Sequence, residues 1–210
     1  MSAIKPLFIV LEGIDGSGKS TQLEMLYERM RTEHIPVILT HEPTDFSTGK
    51  FIRRVLAAEE VVTPATMAGL FLADRLEHIT HPEMGLLRRM EEGMNVLSGR
   101  YYFSSMAFQS EYVSMSWLAA ANALCKSKLK ADFTFYMNLD PDICYARLLA
   151  GRTHFDIYEN PEKLHLTHGK YMEAFDHYGQ DENIIMLDAD KTAEHIHQEI
   201  CNYLFPSQST

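Results

Sequence analysis

The sequence predicts an α/β fold in which helices flank a parallel sheet. Short apolar runs rich in β-branched residues alternate with segments of helical periodicity, which is the pattern of repeated βαβ units. The length of 210 residues suits one compact domain with a substantial core. A glycine-rich stretch, Gly13 to Gly18, joins the first apolar run to the first helical segment. We therefore expect residues 1–210 to form a single three-layer α/β domain.

Five short apolar runs are expected to form the strands of this sheet. Runs of this kind are typical of strands that are covered on both faces, as in parallel sheets. The predicted strands are Phe8 to Glu12, Val37 to Thr40, Met94 to Ser98, Phe133 to Leu139 and Ile184 to Leu187.

The helices are predicted from apolar spacing and from the signals at their starts. Two helices should begin at Thr63-Pro64 and Asp140-Pro141, where a capping residue precedes a proline at the first helical position. An amphipathic helix after the glycines is indicated by apolar residues at i, i+3, i+4 and i+7, which are Leu23, Leu26, Tyr27 and Met30.

Charge and composition disfavour several classes of protein. The net charge of -10 argues against a broad nucleic-acid-binding face, which is usually basic. The 3 cysteines are odd in number and far apart, so neither a disulfide framework nor a paired zinc site is expected. The start of the chain lacks a signal-peptide core, and no apolar run is long enough to cross a membrane. We expect a cytoplasmic protein that binds neither nucleic acid nor membrane.

The spacing Gly13-x-x-x-x-Gly18-Lys19-Ser20 matches a phosphate-binding loop between a strand and a helix. Glycines let backbone N–H groups turn toward phosphates, Lys19 can reach the β- and γ-phosphates, and the hydroxyl of Ser20 can bind Mg²⁺. The expected ligand is a nucleoside triphosphate, most simply ATP. The residues expected to bind it are Gly13, Ile14, Asp15, Gly16, Ser17, Gly18, Lys19, Ser20 and Thr21.

The rest of the sequence favours a small kinase over a GTPase switch, because a guanine-reading Asn-Lys-x-Asp segment is absent. The acceptor of a kinase is either a hydroxyl, which benefits from a carboxylate base, or a phosphate, which is already anionic and needs cations to hold it. Arginines near strand ends would therefore indicate a phosphate acceptor.

Several motifs together resemble those of the thymidylate kinase family. They are EGIDGSGKSTQ, HEPTD, LFLADR, GRYYFSSMAFQ, and LDPDICYARLLAGR followed by DIYE, in the family's order from about residue 7 to residue 192. Each motif after the loop is weak alone. The resemblance implies a P-loop kinase fold with a parallel sheet of five strands, Mg²⁺-dependent transfer of phosphate from ATP to dTMP, and a homodimer.

Phe71 and Arg75 lie four residues apart, so on a helix they would present a ring and a guanidinium to one planar ligand. The resemblance implies that Phe71 stacks on thymine and that Arg75 hydrogen-bonds the edge of the base. In isolation, the same residues also fit a core phenylalanine beside a surface pair of Asp74 and Arg75.

The segment after the third predicted strand carries the expected acceptor clamp. Arg100 follows a strand end, where open α/β sheets collect ligands, and the resemblance makes it the cation that holds the acceptor phosphate. Ser104 and Ser105 are then expected near the base. Phe108 would lie against the sugar, where its ring would exclude a 2′-hydroxyl. A buried aromatic helix with incidental serines is the alternative.

Four more residues are expected around the acceptor. The resemblance places Asp15 near the 3′-hydroxyl and nearby cations. Glu42 and Pro43, at the end of the second strand, would shape the pocket, and Arg53 would add positive charge for the phosphate. A helix-capping Glu42 and a solvent-exposed Arg53 fit the sequence equally well.

A lid is expected over about residues 147 to 160. Position 16 is glycine, so the cation that stabilises the transition state should come from the lid, with Arg152 as the candidate. Arg147 is expected to stack on adenine, and Tyr158 to close over the acceptor. As an alternative, Arg152 stabilises a helix end through the helix dipole.

Two positions depart from the family's usual pattern. His41 stands where an arginine usually precedes Glu-Pro, and Gly99 stands where an aspartate usually helps to hold Mg²⁺. Asp15 and Glu12 are then the nearest carboxylates that the sequence suggests. Alternatively, Ser20, substrate phosphates and water hold the metal. A glycine at position 99 also suits a backbone with positive φ.

Two other functions remain open from the sequence. One is a deoxynucleoside kinase in which Glu42 acts as the base on a hydroxyl acceptor. The other, suggested by Gly99, is a nucleotide-binding homologue with weakened turnover. His165-x-x-His168 is expected to form a helical face near the surface rather than a metal site.

Overall fold

The computed structural model describes residues 5–151 and 160–206, which contain a sheet of five parallel strands. The strands are β1 (Phe8–Glu12), β2 (Val37–His41), β3 (Asn95–Gly99), β4 (Phe133–Asn138) and β5 (Ile184–Asp188). Their order across the sheet is β2-β3-β1-β4-β5. All five predicted strands are confirmed, and no end differs from the prediction by more than one residue.

Helices connect the strands and cover the sheet, which confirms the predicted α/β class. Among the described residues, no helix is long and apolar enough to span a bilayer. The helices are α1 (Lys19–Thr32), α2 (Ser47–Leu56), α3 (Pro64–Thr80), α4 (Leu86–Glu91), α5 (Tyr102–Gln109), α6 (Met115–Lys128), α7 (Pro141–Gly151), α8 (Pro161–Tyr178) and α9 (Ala193–Leu204).

The strand order agrees with the burial of each strand. Every residue of β1, the central strand, is buried, whereas the edge strands β2 and β5 are partly exposed. A parallel sheet needs helices on both faces. Helix α1 packs against α9, and α5 packs against α3, α6 and α8.

Two of the predicted helix signals are seen directly. The Oγ1 of Thr63 accepts a hydrogen bond from the backbone N–H of Thr66, and Pro64 occupies the first helical position of α3. In α1, Leu23, Leu26 and Met30 are buried, so the amphipathic face meets the core.

The carboxyl ends of β1, β2 and β3 lie side by side. Gly99 at the end of β3 pairs with Leu11 of β1 on one side and with His41 of β2 on the other. The segments that follow these strands, at residues 13–18, 42–46 and 100–101, therefore meet at one edge of the sheet, where open α/β sheets bind ligands.

Candidate active site

The loop between β1 and α1 has the backbone that phosphate binding requires. Gly13, Gly16 and Gly18 have positive φ values of 146°, 82° and 94°. A Cβ at Gly16 would lie 2.4 Å from the carbonyl oxygen of Cys144, so a larger residue would require the backbone at Cys144 to shift. Helix α1 starts after Gly18 with no side-chain cap, which leaves its N–H groups for an anionic ligand.

Lys19 lies beneath this loop. Its Nζ donates to the carbonyl oxygen of Ile14 at 2.8 Å and lies 3.9 Å from a carboxylate oxygen of Asp15. Burial, followed by the nearby charge of Arg100, lowers the pKa of Lys19 to about 7, against the opposing effect of Asp15. An anionic ligand in the loop would restore the charged form.

Arg100 lies between the loop and the acceptor side of the site. Its backbone has a positive φ of 73°. The guanidinium donates to Asp15 at 2.6 Å and to the carbonyl oxygen of Gly13 at 3.1 Å, and it lies 4.6 Å from the ring centroid of Phe108. Burial alone would lower the pKa of Arg100, but Asp15 raises it above its ordinary value. The cation is therefore permanent.

Glu12 has a structural partner set, and the expectation that it is a carboxylate available to a metal is wrong. The side chain is fully buried and accepts hydrogen bonds from the N–H of Tyr101 at 2.9 Å, the hydroxyl of Ser104 at 2.6 Å and the hydroxyl of Tyr171 at 2.9 Å. Burial raises the pKa of Glu12 despite these bonds. Glu12 thus holds the turn that carries Arg100.

A pocket adjoins the loop and contains most of the residues predicted to bind the acceptor, and we call it the acceptor pocket. Leu56 and Gln109, which were not predicted from the sequence, also line it. The lining residues are Asp15, Glu42, Pro43, Leu56, Phe71, Arg75, Arg100, Ser104, Ser105, Phe108 and Gln109.

Arg53 does not join this set. Arg53 donates to the carbonyl oxygen of Pro43 and to the carboxylate of Asp45, each at 2.8 Å, so it supports the pocket wall from outside. Tyr158 lies outside the residues that the structure describes, and so does Arg152.

Arg75 forms a buried ion pair with Glu42 at the back of the pocket. The two side chains are 1% and 2% exposed, and the Nε of Arg75 donates to Glu42 at 2.8 Å. The other guanidinium nitrogens donate to Ser105 at 2.8 Å, to Asn122 at 2.5 Å and to the carbonyl oxygen of Tyr101 at 3.0 Å. The structure thus fixes the plane of the guanidinium.

Asp74 is also buried, so the alternative of a surface pair of Asp74 and Arg75 is wrong. Its carboxylate accepts from the N–H and the hydroxyl of Thr44 at 2.8 and 2.6 Å and from the hydroxyl of Thr48 at 2.7 Å. Adjacent residues of α3 therefore hold the segment after β2, Asp74 through Thr44 and Arg75 through Glu42.

Gln109 is the most informative pocket residue that was not predicted from the sequence. It is 3% exposed, and its Oε1 has no hydrogen-bond partner among the described residues. A buried acceptor without a partner is costly, so it is suited to a donor on a ligand. The sequence does contain an indication of its role, because Gln109 is the last residue of the motif GRYYFSSMAFQ. It is the last residue of α5.

A second pocket, which we call the phosphate-loop pocket, is lined by loop residues such as Gly18, Lys19 and Ser20. Gly99 lines this pocket together with His41 and Leu23. Its φ lies outside the left-handed region, so the suggestion that this glycine serves a backbone with positive φ is wrong; the neighbouring Arg100 has that backbone. A Cβ at Gly99 would lie 3.1 Å from Cδ1 of Leu23 and 3.8 Å from Cβ of His41. A small shift of the leucine would admit a side chain.

The nucleotide side extends toward Arg147. This residue lines both the phosphate-loop pocket and a neighbouring pocket formed with Ala189, Lys191 and Ile196. Its Nη2 lies 3.4 Å from the carbonyl oxygen of Ala189. Arg147 is thus placed where a nucleotide base could contact it.

His165 and His168 lie on α8, as predicted, but they contact different groups. His165 is 2.9 Å from Asp142, and His168 is 2.9 Å from Asn138. Within residues 5–151 and 160–206, no group of three or more His, Cys, Asp or Glu side chains is arranged to hold a metal ion.

Comparison with known proteins agrees with this geometry. A family model described as thymidylate kinase matches residues 11–200. A probable thymidylate kinase of Methanocaldococcus jannaschii is 34% identical over 94% of this chain and 95% of its own length. The thymidylate kinase of Halothermothrix orenii is 34% identical over the same shares, and that of Leptospira borgpetersenii is 33% identical over 95% of this chain and 93% of its own length.

Proposed function

The chain belongs to the thymidylate kinase family, and we propose that it transfers the γ-phosphoryl group of ATP to the phosphate of dTMP, giving dTDP. An oxygen of the dTMP phosphate forms a bond to the γ-phosphorus while the bond to the ADP oxygen breaks. The acceptor is already anionic, so the reaction needs positioning and positive charge more than a base.

One observation carries the proposal: the phosphate-loop pocket and the acceptor pocket share Asp15, Glu42 and Arg100. A phosphate held at this junction would lie between the loop that binds the donor and the pocket that binds a base. Arg100 is the cation at the junction, and its present partner, Asp15, is a side chain that a substrate phosphate can replace. We assign Arg100 the role of acceptor clamp.

The deeper part of the pocket suits a pyrimidine base. Phe71 offers a ring face, and Arg75 and Gln109 offer polar groups at the pocket wall. The unpartnered Oε1 of Gln109 can accept the N–H of a thymine, and we assign Arg75, which lines the same pocket, to the carbonyl edge of the base. Both side chains are fixed by packing, so the pocket is organised before the base binds.

The sugar is assigned to the space beside Phe108. This ring also lines the pocket and lies against Arg100, so a nucleotide whose phosphate meets Arg100 would place its sugar near the ring. A ring at this position would crowd a 2′-hydroxyl, which favours a deoxyribose. Ser104 and Ser105 remain assigned to the substrate side. Their hydroxyls also hold Glu12 and Arg75.

ATP is assigned to the loop of residues 13–21, with Lys19 on its β- and γ-phosphates. The residues present fit Mg²⁺: Ser20 is exposed beside the loop, and the cation would take its hydroxyl together with phosphate and water oxygens. Bound there, Mg²⁺ would neutralise charge on the phosphates. Arg147 is assigned to adenine. Arg152 remains our candidate for the cation that stabilises the transition state.

The structure disfavours the deoxynucleoside kinase alternative. Both carboxylate oxygens of Glu42 are engaged, one by Arg75 and the other by His78. Burial alone would raise the pKa of Glu42, but Arg75 and His78 lower it below its ordinary value. A carboxylate with a lowered pKa and no free oxygen is a poor general base.

A coupled assay with ATP and Mg²⁺ tests the proposal. The acceptors to compare are dTMP, dUMP, dCMP and thymidine. We expect dTMP to be the best acceptor and thymidine to be inactive. Transfer to thymidine would favour the deoxynucleoside kinase, and nucleotide binding without transfer to any acceptor would favour the homologue with weakened turnover.

We further propose that the protein acts as a cytoplasmic homodimer with one domain per chain. Trp117 and Leu124, which lie seven residues apart on α6, are 45% and 51% exposed, and exposed apolar side chains on one helix face support an interface. The free thiols of Cys125, Cys144 and Cys201 suit a reducing compartment. Sedimentation of the full chain would test the dimer.

A further inference from the structure

His78 on α3 contacts strand β2 and Glu42 but does not line the acceptor pocket. The side chain is 4% exposed. Its Nε2 lies 2.8 Å from Oγ1 of Thr40, and its Nδ1 lies 3.2 Å from Oε1 of Glu42. A ring protonated at Nδ1 satisfies both contacts, because it donates to the carboxylate and accepts from the hydroxyl. The direction of each hydrogen bond is then defined.

The other oxygen of the same carboxylate faces Arg75. Oε2 of Glu42 accepts from Nε of Arg75 at 2.8 Å and lies 2.7 Å from its Nη2. Because the Glu42 carboxylate is buried, protein donors rather than water set its orientation. The Nδ1–H of His78 holds one oxygen, and this leaves the second oxygen in the plane of the Arg75 guanidinium.

We propose that His78 is a positioning residue that sets the base selectivity of the acceptor pocket by fixing Glu42 and, through it, Arg75. This inference rests on the proposed function, since it requires that Arg75 faces the edge of a pyrimidine. Thymine and cytosine differ at that edge in a carbonyl and an amino group. Because the N–H groups of Arg75 already have protein partners, its guanidinium favours the carbonyl through its positive charge, which a fixed plane keeps at that edge. A guanidinium that can turn loses this preference.

A purely structural role for His78 would have a different outcome. A histidine that only fills space would change the stability of the fold on substitution and leave the preference among ligands unchanged. The distinguishing measurement is therefore the ratio of affinities for dTMP and dCMP, taken together with the KM for ATP.

The experiment compares His78→Asn with His78→Leu in the full chain. The amide nitrogen of asparagine is as far from the backbone as Nδ1, so it can donate to Glu42, whereas leucine of similar size cannot. We expect His78→Leu to weaken dTMP binding, measured by calorimetry, by about tenfold, because a hydrogen bond to a charged group is lost. We also expect it to narrow the ratio of dTMP to dCMP affinity and to leave the KM for ATP within about twofold. His78→Asn should retain most of the wild-type affinity and selectivity.

Thr40→Val provides a second test that leaves the imidazole in place. It removes the hydroxyl at Nε2, and we expect about threefold weaker dTMP binding, with the preference for dTMP over dCMP reduced. If His78→Leu does not fold, Thr40→Val is used as the test instead.

Unchanged selectivity in folded His78→Leu, or in Thr40→Val where His78→Leu does not fold, overturns the proposal. Equal losses in His78→Leu and His78→Asn overturn it too, because the donor to Glu42 would then not be the cause. If the wild-type protein binds neither dTMP nor dCMP, the proposed function is wrong, and the inference about His78 is wrong as well.

Discussion

The phosphate loop and the acceptor pocket of this protein are built in two different ways. The loop is one continuous stretch between β1 and α1, and its shape comes from the backbone angles of Gly13, Gly16 and Gly18. The pocket is assembled from the segment after β2, the end of α2, α3, α5 and the turn after β3, and its key groups are buried side chains such as Arg75 and Glu42.

The difference determines what each region depends on. A loop whose backbone N–H groups are turned toward an anion needs few side-chain partners until the anion binds. In a buried ion pair, the mutual attraction and the surrounding hydrogen bonds offset the cost of desolvation. Each charged group therefore depends on its partners. We therefore expect substitutions in the pocket to affect both stability and acceptor binding, and substitutions beside the loop to affect mainly the reaction.

The largest effect is expected for Arg75→Ala. It leaves Oε2 of the buried Glu42 carboxylate and the acceptors Ser105 and Asn122 without their donor, so the free energy of unfolding should fall by about 3 to 5 kcal/mol. Urea unfolding measures the change. Arg147→Ala, on the nucleotide side, is the matched control, and there we expect less than about 1 kcal/mol. Similar losses in both variants would contradict the contrast between the regions.

Arg100→Ala should act on the acceptor rather than on ATP. Loss of a charge-assisted contact to the phosphate should lower kcat/KM for dTMP by about 30- to 100-fold, with little change in the KM for ATP. Steady-state kinetics with each substrate varied in turn provide the measurement. Arg53→Ala is the control, since Arg53 supports the pocket wall from outside, and a smaller effect is expected. An unchanged dTMP dependence would remove Arg100 from the clamp role.

Glu42 and Glu12 should give the two regions opposite responses to pH. The pKa of Glu42 is lowered from 4.5, because Arg75 and His78 outweigh burial. Its contribution to stability is present above pH 4.5 and is lost as pH falls through the lowered pKa. Burial raises the pKa of Glu12 above 4.5, so the cost of its ionised form at neutral pH is relieved as pH falls toward 4.5.

Urea unfolding of Glu42→Gln and Glu12→Gln, from acidic to neutral pH, separates these effects. Relative to the wild type, Glu42→Gln should weaken the dependence of stability on pH below 4.5. Glu12→Gln should weaken it above that value. If both variants change the pH dependence of the free energy of unfolding in the same way, the two carboxylates have the same kind of environment, which contradicts this prediction.

The smallest effect is expected at Gly99, beside the loop. Gly99→Asp adds a carboxylate at the phosphate pocket, where a hard cation can gain an oxygen partner directly or through water. We expect a few-fold higher activity at limiting Mg²⁺ than in Gly99→Ala, which adds the Cβ without the charge. The contact with Leu23 is common to both variants. If the two folded variants show the same activity at every Mg²⁺ concentration, a carboxylate at position 99 does not improve the use of Mg²⁺.

Much of the fold could be predicted from local patterns. The strands were found because buried parallel strands are short and apolar, and the loop was found because only glycine permits its backbone angles. The shared face of Phe71 and Arg75 followed from helical spacing, and both residues line the pocket. That the predicted residues bind the substrates stays a prediction.

Other parts of the site could not be found in this way. The partners of Glu12, Ser104 and Tyr171, lie 92 and 159 residues away in the sequence. His78 lies 36 residues from Glu42, and Asn122 lies 47 residues from Arg75. Nothing in the spacing of these residues indicates that they meet.

The sequence by itself determined the α/β class, the phosphate loop and the resemblance to a family, because each depends on neighbouring residues or on periodicity within one element. The tertiary structure decided that Glu12 is unavailable to a metal, that Glu42 is no base and that Arg75 is held in one plane. These properties depend on burial and on which side chains meet across the sheet edge. Desolvation and ion pairing change the chemistry of a carboxylate only after the chain has brought its partners together.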